Sequence, residues 1–107
     1  MRYVALIKPG PSWIEGKPIS EQDRTIAGAH LVSMRRHYDN GAVLLGGPFA
    51  SGYGGIALLE AADETAARAI MDADPAVKAG VMAYDLNAVR TFFDAFAGTA
   101  WSPPVSG

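Results

Sequence analysis

Cysteine is absent from all 107 residues, which excludes a disulfide framework, a thiolate metal site and a cysteine nucleophile, and fits a reducing compartment. Histidine is nearly as scarce: His30 and His37 are the two. They lie seven positions apart in one predicted helix, about 10 Å along its axis, too far to share a metal ion, and no HExxH pattern is present. Neither a metal site nor a cofactor is expected. No basic run exceeds Arg35-Arg36 and the formal net charge is −2, so the chain lacks an electrostatic footprint for nucleic acid. The glycines at Gly46-Gly47 and Gly52 to Gly55 lack the lysine of a phosphate loop and the following helix of a dinucleotide fingerprint. Charge is also missing from Ala42 to Leu59, a stretch long enough to raise a membrane span, but Gly46-Gly47-Pro48 and Gly52-Tyr53-Gly54-Gly55 break it twice. Two strands and a turn suit it better. Tyr3 to Ile7 is cut short by Lys8-Pro9 and reads as a strand rather than a signal-peptide core. A cytoplasmic protein without a membrane anchor is the expectation.

What the chain does have is apolar residues, half of the total, with 19% charged, the balance of a globular domain. Its length suits one domain over residues 1–107, with a core over about 1–90 and a tail over 91–107. Arg2 to Lys8 reads as a central strand buried on both faces. The following segment, Trp13 to Lys17, reads as a loop able to fold over a pocket mouth, or as one whose Trp13 simply packs. At Ser20 to Asp23 a helix begins, with Ser20 as cap and acids in the first turn. Ala27, Leu31, Met34 and Tyr38 form an apolar stripe read as buried core, with Ile26, His30 and His37 along one flank, and Asn40-Gly41 stops the helix. Val43 to Leu45 and Gly55 to Leu59 read as strands. Asp63 caps a second helix with a small-residue face of Ala66, Ala69, Ile70 and Ala73, and Val81 to Val89 alternates as a last strand.

The order βαββαβ is that of the ferredoxin-like α+β fold, a four-stranded antiparallel sheet with two helices on one face. The uncovered face is apolar, and a homodimer through it is the expected assembly, with the aromatic tail packing on the partner.

The second helix runs into Asp74-Pro75. Proline pushes the residue before it out of the α region, so Asp74 falls at or just past a helix end. A carboxylate at a C-terminus is unfavourable by about 0.3–1 kcal/mol unless a cation answers it. Lys78 is one candidate and a histidine from the other helix is the second; alternatively Asp74 only shapes a turn. Because this fold sets its helices side by side, His30 can meet Asp74, with the free ring nitrogen acting as general acid or base. The plain alternative for His30 is a helix-flank histidine bonded to a carbonyl or solvent. His37, near the helix end, reads as a surface residue favoured by the dipole.

Ala29-His30-Leu31, Gly41, Leu44-Leu45-Gly46-Gly47-Pro48, Glu64-Thr65-Ala66-Ala67, and Asp72-Ala73-Asp74-Pro75 before Ala79-Gly80 together resemble the YCII (YciI-like) family over about nine-tenths of the chain. The resemblance implies a dimeric α+β barrel and a His30–Asp74 catalytic pair. Related enzymes include a dehydrochlorinase of a chlorinated hydroxyhydroquinone, and similar barrels include muconolactone isomerases. Ala76 stands where the family often has an aromatic residue, which implies a roomier pocket. The expected function is a cofactor-independent elimination or isomerisation on a small cyclic or aromatic molecule, bound among Met34, Pro48, Phe49, Tyr53 and Tyr84. A non-catalytic dimeric binding module is the alternative, with an oxygenase of the wider superfamily third.

Overall fold

Alternation along the first strand decides which way the sheet faces. In β1 (Arg2–Pro9), Tyr3 and Ala5 are buried while Leu6 is 44% exposed. A computed structural model, describing residues 1–18 and 21–97, then gives α1 (Arg24–Asp39), β2 (Val43–Pro48), β3 (Gly55–Glu60), α2 (Glu64–Asp72), the single turn α3 (Pro75–Lys78) and β4 (Met82–Val89). The strands order β2-β3-β1-β4, every neighbour antiparallel. This is the ferredoxin-like arrangement, with α3 added between α2 and β4.

Tyr3, Ala5, Val43, Ala57 and Leu59 from the sheet meet Ala67 and Met71 of α2 in the main core. Each large side chain buried there contributes about 1.5–3 kcal/mol. The buried stripe of α2 is Ala67 and Met71, flanked by Ala66 and Ile70, whereas Ala69 and Ala73 are exposed. The expected face is therefore rotated, because the bulky Met71 one turn after Ala67 takes the core side. Asp63 caps α2 as expected, accepting from the Ala66 N–H at 2.8 Å.

Two expectations for α1 change. The helix starts at Arg24, after Glu21 and Asp23, and Asp23 is its cap, accepting from the Thr25 and Ile26 N–H groups at 2.9 and 3.1 Å. The expected cap, Ser20, lies outside the described residues. Nor is the stripe of α1 core: none of its residues is buried, and Leu31 and Tyr38 are 66% and 58% exposed. Gly41, at φ +86°, makes the left-handed stop.

On the other sheet face, the register places Val4, Leu6, Leu45, Ile56 and Leu58 side by side. That face is not wholly bare. Residues 91–97 return across it against Leu58 and Val89, tied down by Arg2, whose Nε donates to Asp94 at 2.7 Å. The start of the tail thus packs on its own sheet; Trp101 and Pro103-Pro104 lie outside the described residues. Among the described residues no helix is long and apolar enough to cross a membrane.

Candidate active site

Asp74 stands between two helices. Helix α2 closes on Ala73, the chain extends for one residue, and α3 begins at Pro75, a favoured first helical residue because it needs no N–H partner there. Asp74 is consequently the N-cap of α3. Its Oδ2 accepts from the Ala76 N–H at 3.0 Å and the Val77 N–H at 3.4 Å. This corrects the expectation of a carboxylate stranded at a helix C-terminus, since an N-cap position favours negative charge. The position at a helix end was legible; its sign was not, because a second helix restarts immediately after the proline.

The carboxylate is wholly buried, so its charge requires partners. His30 supplies the third: Nδ1 lies 2.8 Å from Oδ1 and 2.9 Å from Oδ2. As a carboxylate Asp74 offers lone pairs only, and with an ionised Asp74 the contact requires Nδ1–H to donate a hydrogen bond to it. In the neutral ring Nε2 is then the basic nitrogen. It has no hydrogen-bond partner among the described residues, and the His30 side chain, 14% exposed, lies on the wall of a groove. Lys78, the local candidate, is exposed in the last turn of α3, and His37 occupies the last turn of α1 where the dipole favours a cation.

The groove holds about 660 Å³, within the range of small-molecule sites. Ala27, Leu31, Met34 and Tyr38 of α1 form one wall, Leu44 to Pro48 of β2 the other, and Ile7, Ala57 and Met82 the floor. The apolar stripe read as core from its spacing is thus the groove wall. Gly46, on the face of β2 that Val43 shares, leaves this wall open, whereas Gly47 pairs with Ile56 on the other sheet face. Lys8 and Arg35 lie at the margin, and Phe96 reaches the groove from the tail.

Of the pocket residues expected from sequence, Met34 and Pro48 line the groove. Phe49, Tyr53 and Tyr84 do not. The β2–β3 link folds back through Gly52 and Gly54, at φ +85° and +78°, carrying Phe49 and Tyr53 away; the Tyr53 hydroxyl donates to the Gly16 carbonyl at 2.9 Å. The Tyr84 hydroxyl donates to Asp72 at 2.6 Å under α2, and burial, then Asp72, raises its pKa. Ala76 does not open the pocket either: it is buried beneath Trp13, Val81 and Met82. The lining residues Leu31, Tyr38 and Trp13 were each visible in the sequence, but helical spacing and aromatic character do not distinguish a core from a groove wall. Among the described residues no group of three histidine, cysteine or acidic side chains is placed to hold a metal ion.

A ferredoxin-like sheet carrying a buried carboxylate and a histidine on an apolar groove defines a class of small α+β proteins. Within it, the family model of the YCII-related domain matches residues 1–92, and the chain belongs to that family. A solved structure, 5-chloro-2-hydroxyhydroquinone dehydrochlorinase (TftG) from Burkholderia phenoliruptrix AC1100 in complex with 2,5-dihydroxybenzoquinone, shares the fold. Its TM-score is 0.65 at 18% identity, covering 84% of this chain and 94% of that one. A search of curated proteins gives no match.

Proposed function

We propose that the chain is a cofactor-independent enzyme in which His30 moves a proton on a small cyclic or aromatic molecule held in the groove, in an elimination or an isomerisation. The observation that carries this reading is the bonding of His30: Nδ1 is committed to buried Asp74, while Nε2, on the groove wall, has no partner among the described residues. Nε2 takes a proton from a ring hydroxyl or an acidic C–H, and Asp74 stabilises the resulting imidazolium. For an elimination, the electron pair left on the substrate forms a double bond as the leaving group departs with its own pair. For an isomerisation, His30 returns the proton to a different carbon. A positioned base of this kind supplies typically about 10²–10⁴-fold. The apolar walls keep water from competing for the proton.

The likeness in fold to TftG, a dehydrochlorinase with a dihydroxybenzoquinone bound, supports the ring-sized ligand. Family membership supports Asp74 and His30 as the pair. The enzyme acts as a homodimer in this reading, its partner covering the apolar face around Leu6 and Leu45. One observation favours the alternative of a non-catalytic binding module: Asp74 has a structural task, capping α3, that it performs whether or not His30 works. Turnover of a panel of chlorinated hydroxyhydroquinones and lactones by the wild type and by His30→Asn separates the two. Turnover lost in the variant at unchanged thermal stability supports the enzyme; no turnover by the wild type across the panel supports the module.

A further inference from the structure

Loop 10–18 is fastened at many points for a connection on the surface. Its start is tied to the turn before β4, with the Gly10 N–H donating to the Val81 carbonyl at 3.0 Å and the Ser12 N–H to the Gly80 carbonyl at 2.7 Å. Its middle is held by Gln22, a side chain 4% exposed. Gln22 Oε1 accepts from the Ile14 N–H at 2.8 Å, and Nε2 donates to the carbonyls of Ile14 and Lys17 at 3.1 and 2.8 Å. Its far end is held by the Tyr53 hydroxyl on the Gly16 carbonyl. The β2–β3 link docks against it: a Cβ at Gly52 would come within 2.8 Å of the Pro18 Cβ. A buried amide using all these bonds on one loop is costly to replace, because each orphaned group costs about 1–3 kcal/mol; such a device fixes something in place.

The residue it fixes is Trp13. Part of its ring packs on Ala76 and Met82, Tyr53 lies across it with ring centroids 6.5 Å apart and planes at 55°, and Trp13 also lines the groove that His30 lines. We infer that Trp13 is the specificity-determining wall against which a planar ring lies when it presents its proton to His30, and that Gln22 and Tyr53 are positioning residues that hold it there. This rests on the proposed reaction for the ligand class, and it reassigns Tyr53 from ligand contact to brace. Aromatic faces prefer offset or tilted partners, so a fixed indole selects flat rings over saturated ones of equal size.

The test uses the full chain carrying Trp101→Phe, so that Trp13 is the sole tryptophan of the two. It is titrated with 2,5-dihydroxybenzoquinone and with 1,4-cyclohexanediol, following tryptophan emission and binding heat. The quinone is expected to quench Trp13 saturably. Trp13→Ala is expected to raise its Kd about tenfold and Trp13→Phe about twofold to threefold, with the diol indifferent to either. Tyr53→Phe, at a half-exposed position, removes one hydrogen bond and is expected to raise Kd about threefold while KM rises and kcat holds. Melting curves within a few degrees of the parent keep these changes separate from unfolding. Equal quinone affinity in parent, Trp13→Phe and Tyr53→Phe overturns the role of Trp13. If His30→Asn still abolishes turnover in that case, the proton-transfer reading stands without it; if His30→Asn turns over normally, both fall.

Discussion

Asp74 grips His30 Nδ1 with both oxygens, at 2.8 and 2.9 Å, and uses one of the same oxygens to cap α3. One buried carboxylate therefore links the start of α3 to the orientation of a ring on α1, 44 residues earlier in the chain. This double use allows capping and ring orientation to be pulled apart by substitution.

Asp74→Asn keeps an amide oxygen to cap α3 but has an NH₂ where a carboxylate oxygen met Nδ1. The amide then donates to Nδ1, forcing the proton onto Nε2. Turnover is expected to fall by at least about 10²-fold with a stability loss under about 1 kcal/mol, whereas Asp74→Ala, which also loses the cap, is expected to cost about 1–3 kcal/mol. Urea unfolding of the two variants checks the contrast; equal stabilities would contradict the capping role.

The groove is open at β2 because Gly46, on the sheet face it shares with Val43 and Ala57, has no side chain. A Cβ there makes only ordinary contacts, 3.6 Å from the Ile56 carbonyl and the Val43 side chain, and Gly46 is not among the positive-φ glycines, so Gly46→Leu is expected to fold normally and to fill part of the groove. Calorimetric titration with 2,5-dihydroxybenzoquinone should show affinity reduced at least about tenfold, the effect of roughly 1.4 kcal/mol of lost complementarity. Unchanged affinity would place the ligand elsewhere.

The expectations from sequence succeeded where one local signal sufficed and failed where the outcome depended on what stands opposite. Alternation in β4, the cap at Asp63 and the stop at Asn40-Gly41 each rest on a few neighbouring residues, and each holds; the reading of β1 as buried on both faces does not, since Leu6 on its second face is 44% exposed. The stripe of α1 has the same spacing as a core stripe, and Met34 touches the core, but among the described residues no element covers Leu31 and Tyr38, which border the groove instead. Likewise Asp-Pro announced a helix end without announcing that a new helix would begin. Aromatic content alone nominated Phe49, Tyr53 and Tyr84, and two positive-φ glycines together with a hydrogen bond to Asp72 send them elsewhere.

The tail contact is acid-labile. The Arg2 guanidinium beside Asp94 holds that carboxyl below the usual aspartate value, first through their hydrogen bond. A depressed folded pKa means the contribution is complete above the unfolded value of about 3.9 and is lost as pH falls through the lower folded value. Amide hydrogen exchange over 91–97 is expected to be unchanged from pH 7 to 5 once corrected for intrinsic rates, and to accelerate as pH falls below the ordinary aspartate value of about 3.9. Asp94→Asn should show the faster exchange at neutral pH. Protection persisting in that variant would show that Arg2 does not hold the segment.

The apolar face around Leu6, Leu45, Ile56 and Leu58 leaves two of its large residues nearly half exposed, a patch that a second copy would cover. Sedimentation at micromolar concentration is expected to give twice the 11.2 kDa chain mass, and Leu6→Lys to give the monomer. A wild-type monomer contradicts the proposed assembly.

Proton transfer by His30 requires Nδ1–H to be held by Asp74 and Nε2 to stand open toward the groove. Nitrogen-15 correlation spectra of the imidazole at neutral pH read this directly. The expected result is a protonated Nδ1 and an unprotonated Nε2 whose shift moves on addition of 2,5-dihydroxybenzoquinone, with the two nitrogens exchanging roles in Asp74→Asn. A proton on Nε2 in the wild type, or a ring indifferent to both the ligand and the substitution, would contradict it.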